Sequence, residues 1–169
     1  ARMPKPVFKN NDLVNILNES IKLSSELDNS IKIDMKNKDK EILFKCDKEQ
    51  ISRVFFNLIK NSIESIKQKA EKGGFFEKKI SIDILNNNDH IKFILVDNGI
   101  GFDQIKNDVK KILNPYFTTK KNGTGLGLSI VNKIINDHNG ELSFLPISSG
   151  AKVEIYFKLN GNRNINSWW

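Results

Sequence analysis

The sequence predicts a two-layer α/β sandwich, with one mixed sheet of about five or more strands and helices packed on one of its faces. Three observations carry that reading. Alternating apolar stretches come in pairs, helical stretches separate the pairs without regular βαβ alternation, and the longest helical stretch has a single apolar stripe. A chain of 169 residues, 38% of them apolar, is one domain with room for a substantial core.

The elements follow in chain order. "DLVNILNESIKLSSEL" has helical spacing, with Leu13, Ile16, Leu17, Ile21 and Leu27 as its apolar repeat. "IKIDMKN" and "EILFKCD" read as two short strands joined by a polar turn. A long helix is expected from about Lys48 to Ala70, with Asp47 as its N-cap and "KGG" just beyond its end. Stepping at about 100° per residue, Ile51, Val54, Phe55, Leu58, Ile59 and Ile66 form one stripe, whereas Asn57, Asn61 and Glu64 cluster on another face. "KISIDIL" and "IKFILVD" make a second pair of strands around the Asn-rich turn from Asn86 to Asp89. Residues 99 to 124 show little periodicity. The helix "SIVNKIINDH" and the closing strands "GELSFLPI" and "AKVEIYFKL" complete the domain, and the tail from Asn160 to Trp169 is polar apart from Ile165 and the terminal Trp pair.

Composition narrows the function classes. The single Cys46 has no intramolecular partner, so no disulfide framework exists and a reducing compartment is expected. No apolar run reaches the length of a membrane span. The opening "ARMPKP" has neither an initiator Met nor a signal-peptide core, and the chain reads as a fragment of something longer. The net charge of +7 is scattered rather than concentrated, and with no basic-aromatic module in sight no nucleic-acid partner is expected.

Three segments carry chemistry. "NGTGLGL" places Gly123, Gly125 and Gly127 at the entrance of a helix. Glycine is costly in a helix, so the cluster serves either a turn with close helix packing or the approach of backbone N–H groups to a phosphate at the positive end of the helix dipole. The pair Asn57 and Asn61, one helical turn apart, is either a solvent-exposed face or a source of neutral oxygen ligands for Mg²⁺, which keeps several waters and takes others from substrate phosphates. "LVDNGIGFD" puts Asp97 at a strand end, followed by Gly99 and Gly101. That is either an Asn-Gly hairpin turn or a carboxylate placed to accept the exocyclic amine of adenine beside backbone that a planar ligand can approach.

As a set, these segments resemble a known family. "NLIKNSIESI" is similar to the N box, "DNGIGF" to the first glycine box, "PYFTTK" to the F box and "GTGLGLSIV" to the second glycine box of bacterial sensor histidine kinases. The resemblance covers about residues 11 to 159, and "ARMPKPVF" is similar to the junction entering this domain in nitrogen-regulation kinases of the NtrY type. It implies the histidine-kinase ATPase (Bergerat) fold, shared with gyrase, heat-shock chaperone 90 and mismatch-repair ATPases. Residues 1–10 would then be a linker from an absent dimerisation domain, 11–159 the catalytic ATP-binding domain and 160–169 a flexible tail.

What the resemblance implies for the site can be written residue by residue. Asp97 would hold the adenine amine, Gly99 and Gly101 would shape the base pocket, and Asn61 would ligate Mg²⁺ with Asn57 nearby. Gly123, Thr124, Gly125 and Gly127 would cradle the ATP phosphates while Leu126 and Leu128 anchor the helix. Residues 102 to 122 would form an ATP lid pinned by Tyr116 and Phe117, and Lys120 is a candidate phosphate contact. Asn114 departs from the Glu that many relatives carry before the Pro.

The implied activity is transfer of the γ-phosphoryl group of ATP to a histidine on the upstream dimerisation domain, for relay to a response regulator. The full-length protein would be homodimeric and anchored in the inner membrane, with this fragment a monomeric cytoplasmic domain. Neither His90, in an expected hairpin turn, nor His138, at a helix end where a cap or dipole role is expected, lies in the family's His-Glu acceptor context. The alternatives are an ATPase of the same fold, of mismatch-repair or gyrase type, and a nucleotide-sensing module without transfer activity. The ATPases resemble one another in carrying a general-base Glu four residues before the magnesium Asn, a position held here by Asn57.

Overall fold

The computed structural model describes residues 3–101 and 127–159. Its elements are β1 (Lys9–Asp12), α1 (Leu13–Ser25), β2 (Lys32–Lys36), β3 (Leu43–Cys46), α2 (Lys48–Glu71), β4 (Lys79–Asn86), β5 (His90–Asp97), α3 (Gly127–Asp137), β6 (Gly140–Pro146) and β7 (Ala151–Lys158). Five strands form one mixed sheet in the order β2-β4-β5-β7-β6, and β1 and β3 form a separate antiparallel ribbon. This is the expected sandwich.

The sheet faces its helices with alternate residues, because successive strand side chains point to opposite sides. Ile80, Ile82 and Ile84 of β4, Ile91, Phe93 and Leu95 of β5, and Val153, Ile155 and Phe157 of β7 are buried on that face. Register aligns them in rows, with Phe93 opposite Ile84 on one side and Ile155 on the other. Against them lies the predicted α2 stripe, every member of which is buried. The Phe55 ring stacks on Phe93 with centroids 5.0 Å apart, a pair worth about 0.5–1.5 kcal/mol beyond the burial of its area. α1 and α3 flank α2 on the same face of the sheet.

Asp47 is the α2 N-cap, its Oδ1 accepting the Gln50 N–H at 3.0 Å. The helix runs one residue past Ala70, to Glu71, and Gly73 and Gly74 follow with φ of 91° and 88°. That is the stop signal expected of "KGG". Leu13, Ile16 and Leu17 of α1 are buried, whereas Leu27 lies beyond the helix end and is exposed.

Two expectations about strands are corrected. β2 and β3 do not form a hairpin: β2 runs parallel to β4, with Ile33 opposite Ile80, and β3 pairs with β1, with Cys46 opposite Lys9. A parallel partner brought in from a distant stretch of chain leaves no local signature. β1 was not expected at all, since "KNND" has no apolar alternation. Side chains hold it instead: Asn11 Nδ2 donates to the Cys46 carbonyl at 3.0 Å, and Asp12 Oδ1 accepts the Ile42 N–H at 3.0 Å while capping α1 through Val14 N–H at 3.0 Å. Phe44 packs on Phe157 with ring centroids 4.9 Å apart, so the ribbon closes one end of the core.

Candidate functional site

The buried face of β5 reads Ile91, Phe93, Leu95, Asp97. Strand periodicity therefore carries a carboxylate into the apolar layer, and Asp97 is only 3% exposed. Burial of a charge demands partners. Oδ1 accepts the N–H of Gly99 at 2.9 Å, and Oδ2 accepts the hydroxyl of Ser62 on α2 at 2.8 Å. Burial pushes the Asp97 carboxyl above the usual carboxylate range, opposed by the Gly99 N–H, the Ser62 hydroxyl, the Ala151 N–H and the Lys69 ammonium.

Beyond Asp97 the chain lies directly on α2. Ile100 N–H donates to the Ser65 carbonyl at 3.2 Å, Gly101 N–H to Ser65 Oγ at 3.4 Å, and Lys69 Nζ donates to the Asn98 carbonyl at 2.9 Å. Gly99 sits so close that a Cβ there would stand 2.6 Å from the Ser65 carbonyl carbon and 2.7 Å from the Ile66 nitrogen. On the other side is Gly150, at φ +102°, where a Cβ would fall 1.8 Å from the Asp97 carbonyl oxygen. No side chain fits there. Residues 99 to 101, Lys69 and the turn Ile147–Gly150 line a cleft of about 390 Å³.

Asn57 and Asn61 are half-buried on the same helix, about two turns and one turn before Ser65 respectively. Asn61 immediately precedes Ser62, so the amide pair and the Asp97 partner share one stretch of α2. α3 packs alongside α2 and begins at Gly127, with Leu128 half-buried against the core. A Cβ on Gly127 would meet nothing within 4 Å. Among the described residues no group of three or more His, Cys, Asp or Glu side chains could hold a metal ion. An Mg²⁺ taking one or two amide oxygens here and the rest of its ligands from phosphate and water fits this donor set.

Asp97, Gly99 and Gly101 are thus brought together on one segment against the helix that bears Asn57 and Asn61, with Gly127 and Leu128 on the neighbouring helix. Tyr116, Phe117, Lys120, Gly123, Thr124, Gly125 and Leu126, with the expected lid and tail, lie outside the described residues. Sequence reasoning missed Ser62, Lys69 and Gly150. Ser62 and Ser65 did leave a signal, as two serines inside a helix that has little intrinsic use for them.

The sequence profile of the histidine kinase-, DNA gyrase B-, and HSP90-like ATPases matches residues 46–161. The chain belongs to this ATPase family. Membership makes ATP the substrate class of the domain. The chain is 32% identical to an NtrY-like sensor histidine kinase of Rickettsia bellii over 94% of its length, and 30% identical to the nitrogen regulation protein NtrY of Azorhizobium caulinodans over 95%. It spans 25% and 21% of those two relatives. Among solved structures, the catalytic domain of the histidine kinase ThkA superposes with a TM-score of 0.76 at 25% identity, covering 90% of this chain and 95% of that one. The mycobacterial sensor histidine kinase MprB shares the fold, with a TM-score of 0.74 at 16% identity over 90% of this chain and 97% of that one.

The two histidines of this ATPase domain are both engaged. His90 opens β5, its ring stacked on Tyr156 with centroids 4.5 Å apart and its Nδ1 2.7 Å from Asp89 Oδ1. His138, 4% exposed, is hydrogen-bonded through Nδ1 to the Ile134 carbonyl at 2.7 Å, while its Nε2 accepts the Asp47 N–H at 3.1 Å. The carbonyl contact at the end of α3 is the expected cap role. Among the described residues no helix is long and apolar enough to cross a membrane.

Proposed function

We propose that this domain binds ATP with Mg²⁺ and, within a longer sensor kinase, transfers the γ-phosphoryl group to a histidine on an upstream dimerisation domain for relay to a response regulator. The observation that carries the reading is the Asp97 carboxylate, buried at the end of β5 against α2 and followed directly by Gly99 and Gly101. An ionised Asp accepts hydrogen bonds only, so it takes the 6-amino group of adenine. Gly99 and Gly101 let the chain after Asp97 lie tightly on α2 and on the Gly150 turn, which sets the wall against which the base is read. Asn61, with Asn57 beside it, holds Mg²⁺, and the segment from Gly123 to Leu128 with Lys120 receives the phosphates as Tyr116 and Phe117 pin the lid.

When bound, the metal neutralises phosphate charge as the β–γ bridge breaks. The acceptor imidazole nitrogen gives its lone pair to phosphorus, the bridging oxygen leaves with ADP, and the proton of the resulting imidazolium passes to water. Asn57 favours transfer over hydrolysis, because no carboxylate stands at that position to activate water. Residues 11–159 form the catalytic module, 1–10 the link to the dimerisation domain. The longer protein is homodimeric and membrane-anchored, with this domain on the cytoplasmic side.

The test is radiolabelled ATP offered to the domain alone and to a chain that includes the upstream segment. The longer chain should acquire an acid-labile, base-stable phosphoryl group outside residues 1–169, and the domain alone should acquire none. Stable labelling of the domain alone, or brisk phosphate release from it, would overturn the kinase reading.

A further inference from the structure

We propose that Ser62 is a positioning residue for base selection: its hydroxyl, donated to Asp97 Oδ2, keeps that carboxylate turned and ionised so that it takes a 6-amino purine and refuses a 6-oxo purine. The inference rests on Asp97 reading the base, as proposed above.

A buried serine inside a helix ordinarily returns its hydroxyl to the carbonyl four residues earlier. This protein shows that habit twice. Ser20 Oγ donates to the Ile16 carbonyl at 2.9 Å, and Ser24 Oγ donates to the Ser20 carbonyl at 2.7 Å. Ser62, equally buried at 4% exposure, instead spends its proton across the structure on Asp97 Oδ2, 2.8 Å away. The other contacts to this carboxylate come from backbone: the Gly99 N–H, 2.9 Å from Oδ1, spans two residues of a tight turn and follows the chain wherever it goes, and the Ala151 N–H comes from the neighbouring strand of the sheet. Ser62 is therefore the side chain that ties the orientation of Asp97 to the rigid helix carrying Asn57 and Asn61.

The protonation state follows from the same contact. Burial favours the neutral acid, and a neutral carboxyl has a proton to donate, which a 6-oxo purine would accept. Lys69 on α2, the Gly99 N–H and the Ala151 N–H of β7 oppose protonation together with Ser62. Removing the hydroxyl subtracts one of the two side-chain supports, leaving Lys69 at a distance. The carboxyl then becomes a mixed donor and acceptor at higher pH than before, and selection against the 6-oxo base weakens.

The experiment compares ATP with inosine triphosphate, in which a 6-oxo group replaces the 6-amino group and N1 carries a proton, by calorimetric titration from pH 5.5 to 8. Wild type should prefer ATP about tenfold or more. Ser62→Ala should lose most of that preference, and its ATP affinity should begin to fall at higher pH. Ser62→Thr, which restores a hydroxyl, should recover both. If the alanine variant does not fold, Ser62→Cys fills the site with a weaker donor and gives the same comparison. In parallel, ¹³C NMR of the Asp97 carboxyl in the nucleotide-free protein should show titration at higher pH in Ser62→Ala. Equal loss of both nucleotides with an unmoved pH profile would reduce Ser62 to packing and overturn the proposal. An unmoved carboxyl titration would overturn it as well. Failure of wild type to prefer ATP would instead strike the role of Asp97, and the carboxyl titration would still decide whether Ser62 governs its charge.

Discussion

Gly99→Ala tests how closely the base-reading segment must lie on α2. The backbone of Gly99 is not in the left-handed region, so alanine meets no conformational penalty there. The penalty is contact. An added Cβ would stand 2.4 Å from Ser65 Oγ, 2.6 Å from the Ser65 carbonyl carbon and 2.7 Å from the Ile66 nitrogen. The hydroxyl can rotate away, but helix backbone cannot, and the segment must lift by roughly 0.7 Å to reach ordinary contact. Overpacking of this kind costs about 1–3 kcal/mol. The Ile100-to-Ser65 bond at 3.2 Å and the Ser62-to-Asp97 bond at 2.8 Å are strained by the same shift, at about 0.5–1.5 kcal/mol each. A total of about 2–6 kcal/mol corresponds to a fall in Tm of about 4–24 °C for a domain of this size. ATP affinity should drop about ten- to a hundredfold as Asp97 leaves its place. Differential scanning calorimetry and titration calorimetry read the two effects. A Gly99→Ala domain melting within a degree of wild type with unchanged ATP affinity would refute the reasoning.

Gly127→Ala is the complementary case: with nothing within 4 Å of the new methyl and no positive φ, stability should hold or rise by up to about 1 kcal/mol, while ATP affinity falls if phosphate approaches this backbone. A combined melt and titration separates the two, and intact affinity would remove Gly127 from the phosphate cradle. Asn61→Ala should weaken the dependence of nucleotide binding on Mg²⁺, with Asn57→Ala doing less; titrations with and without the metal check this. His138 is held below the usual imidazole range by burial, against the raising effects of the Ile134 carbonyl, Asp47 and Asp137. Its contribution is therefore present above about pH 6.5 and is lost as pH falls through its lowered folded value. Unfolding free energies should decline from pH 7 to 5 in wild type and decline less in His138→Phe.

Much of this fold was legible because its signals are local. Asp47 could be read as a cap from its place before a periodic run, and the α2 stripe from its 3.6-residue repeat, since both depend on neighbours in sequence. The antiparallel pairs β4–β5 and β6–β7 follow from adjacent alternating stretches around short turns. The parallel pairing of β2 with β4 was not legible, because it is set by how the chain returns after α2 rather than by anything within "IKIDMKN". β1 escaped notice because polar side chains, not apolar alternation, fasten it to β3.

The site divides the same way. Asp97 announced itself as a carboxylate ending an apolar strand, and Gly99 and Gly101 as glycines beside it. Ser62 and Gly150 become meaningful only when α2 and the turn before β7 are laid against that strand end. Nothing in "KNSIES" says that one serine crosses to a carboxylate and the other accepts the N–H of Gly101.

The central claim is that Asp97 reads the adenine of ATP. Titration of ATP with Mg²⁺ into wild type and Asp97→Asn tests it most directly, because Asn keeps the volume while replacing one acceptor oxygen with a donor. The loss of a charge-assisted bond of about 1.5–3 kcal/mol predicts a ten- to hundredfold weaker affinity in the variant, with the fold intact by thermal melting. Equal affinity for ATP in the two proteins would contradict the account.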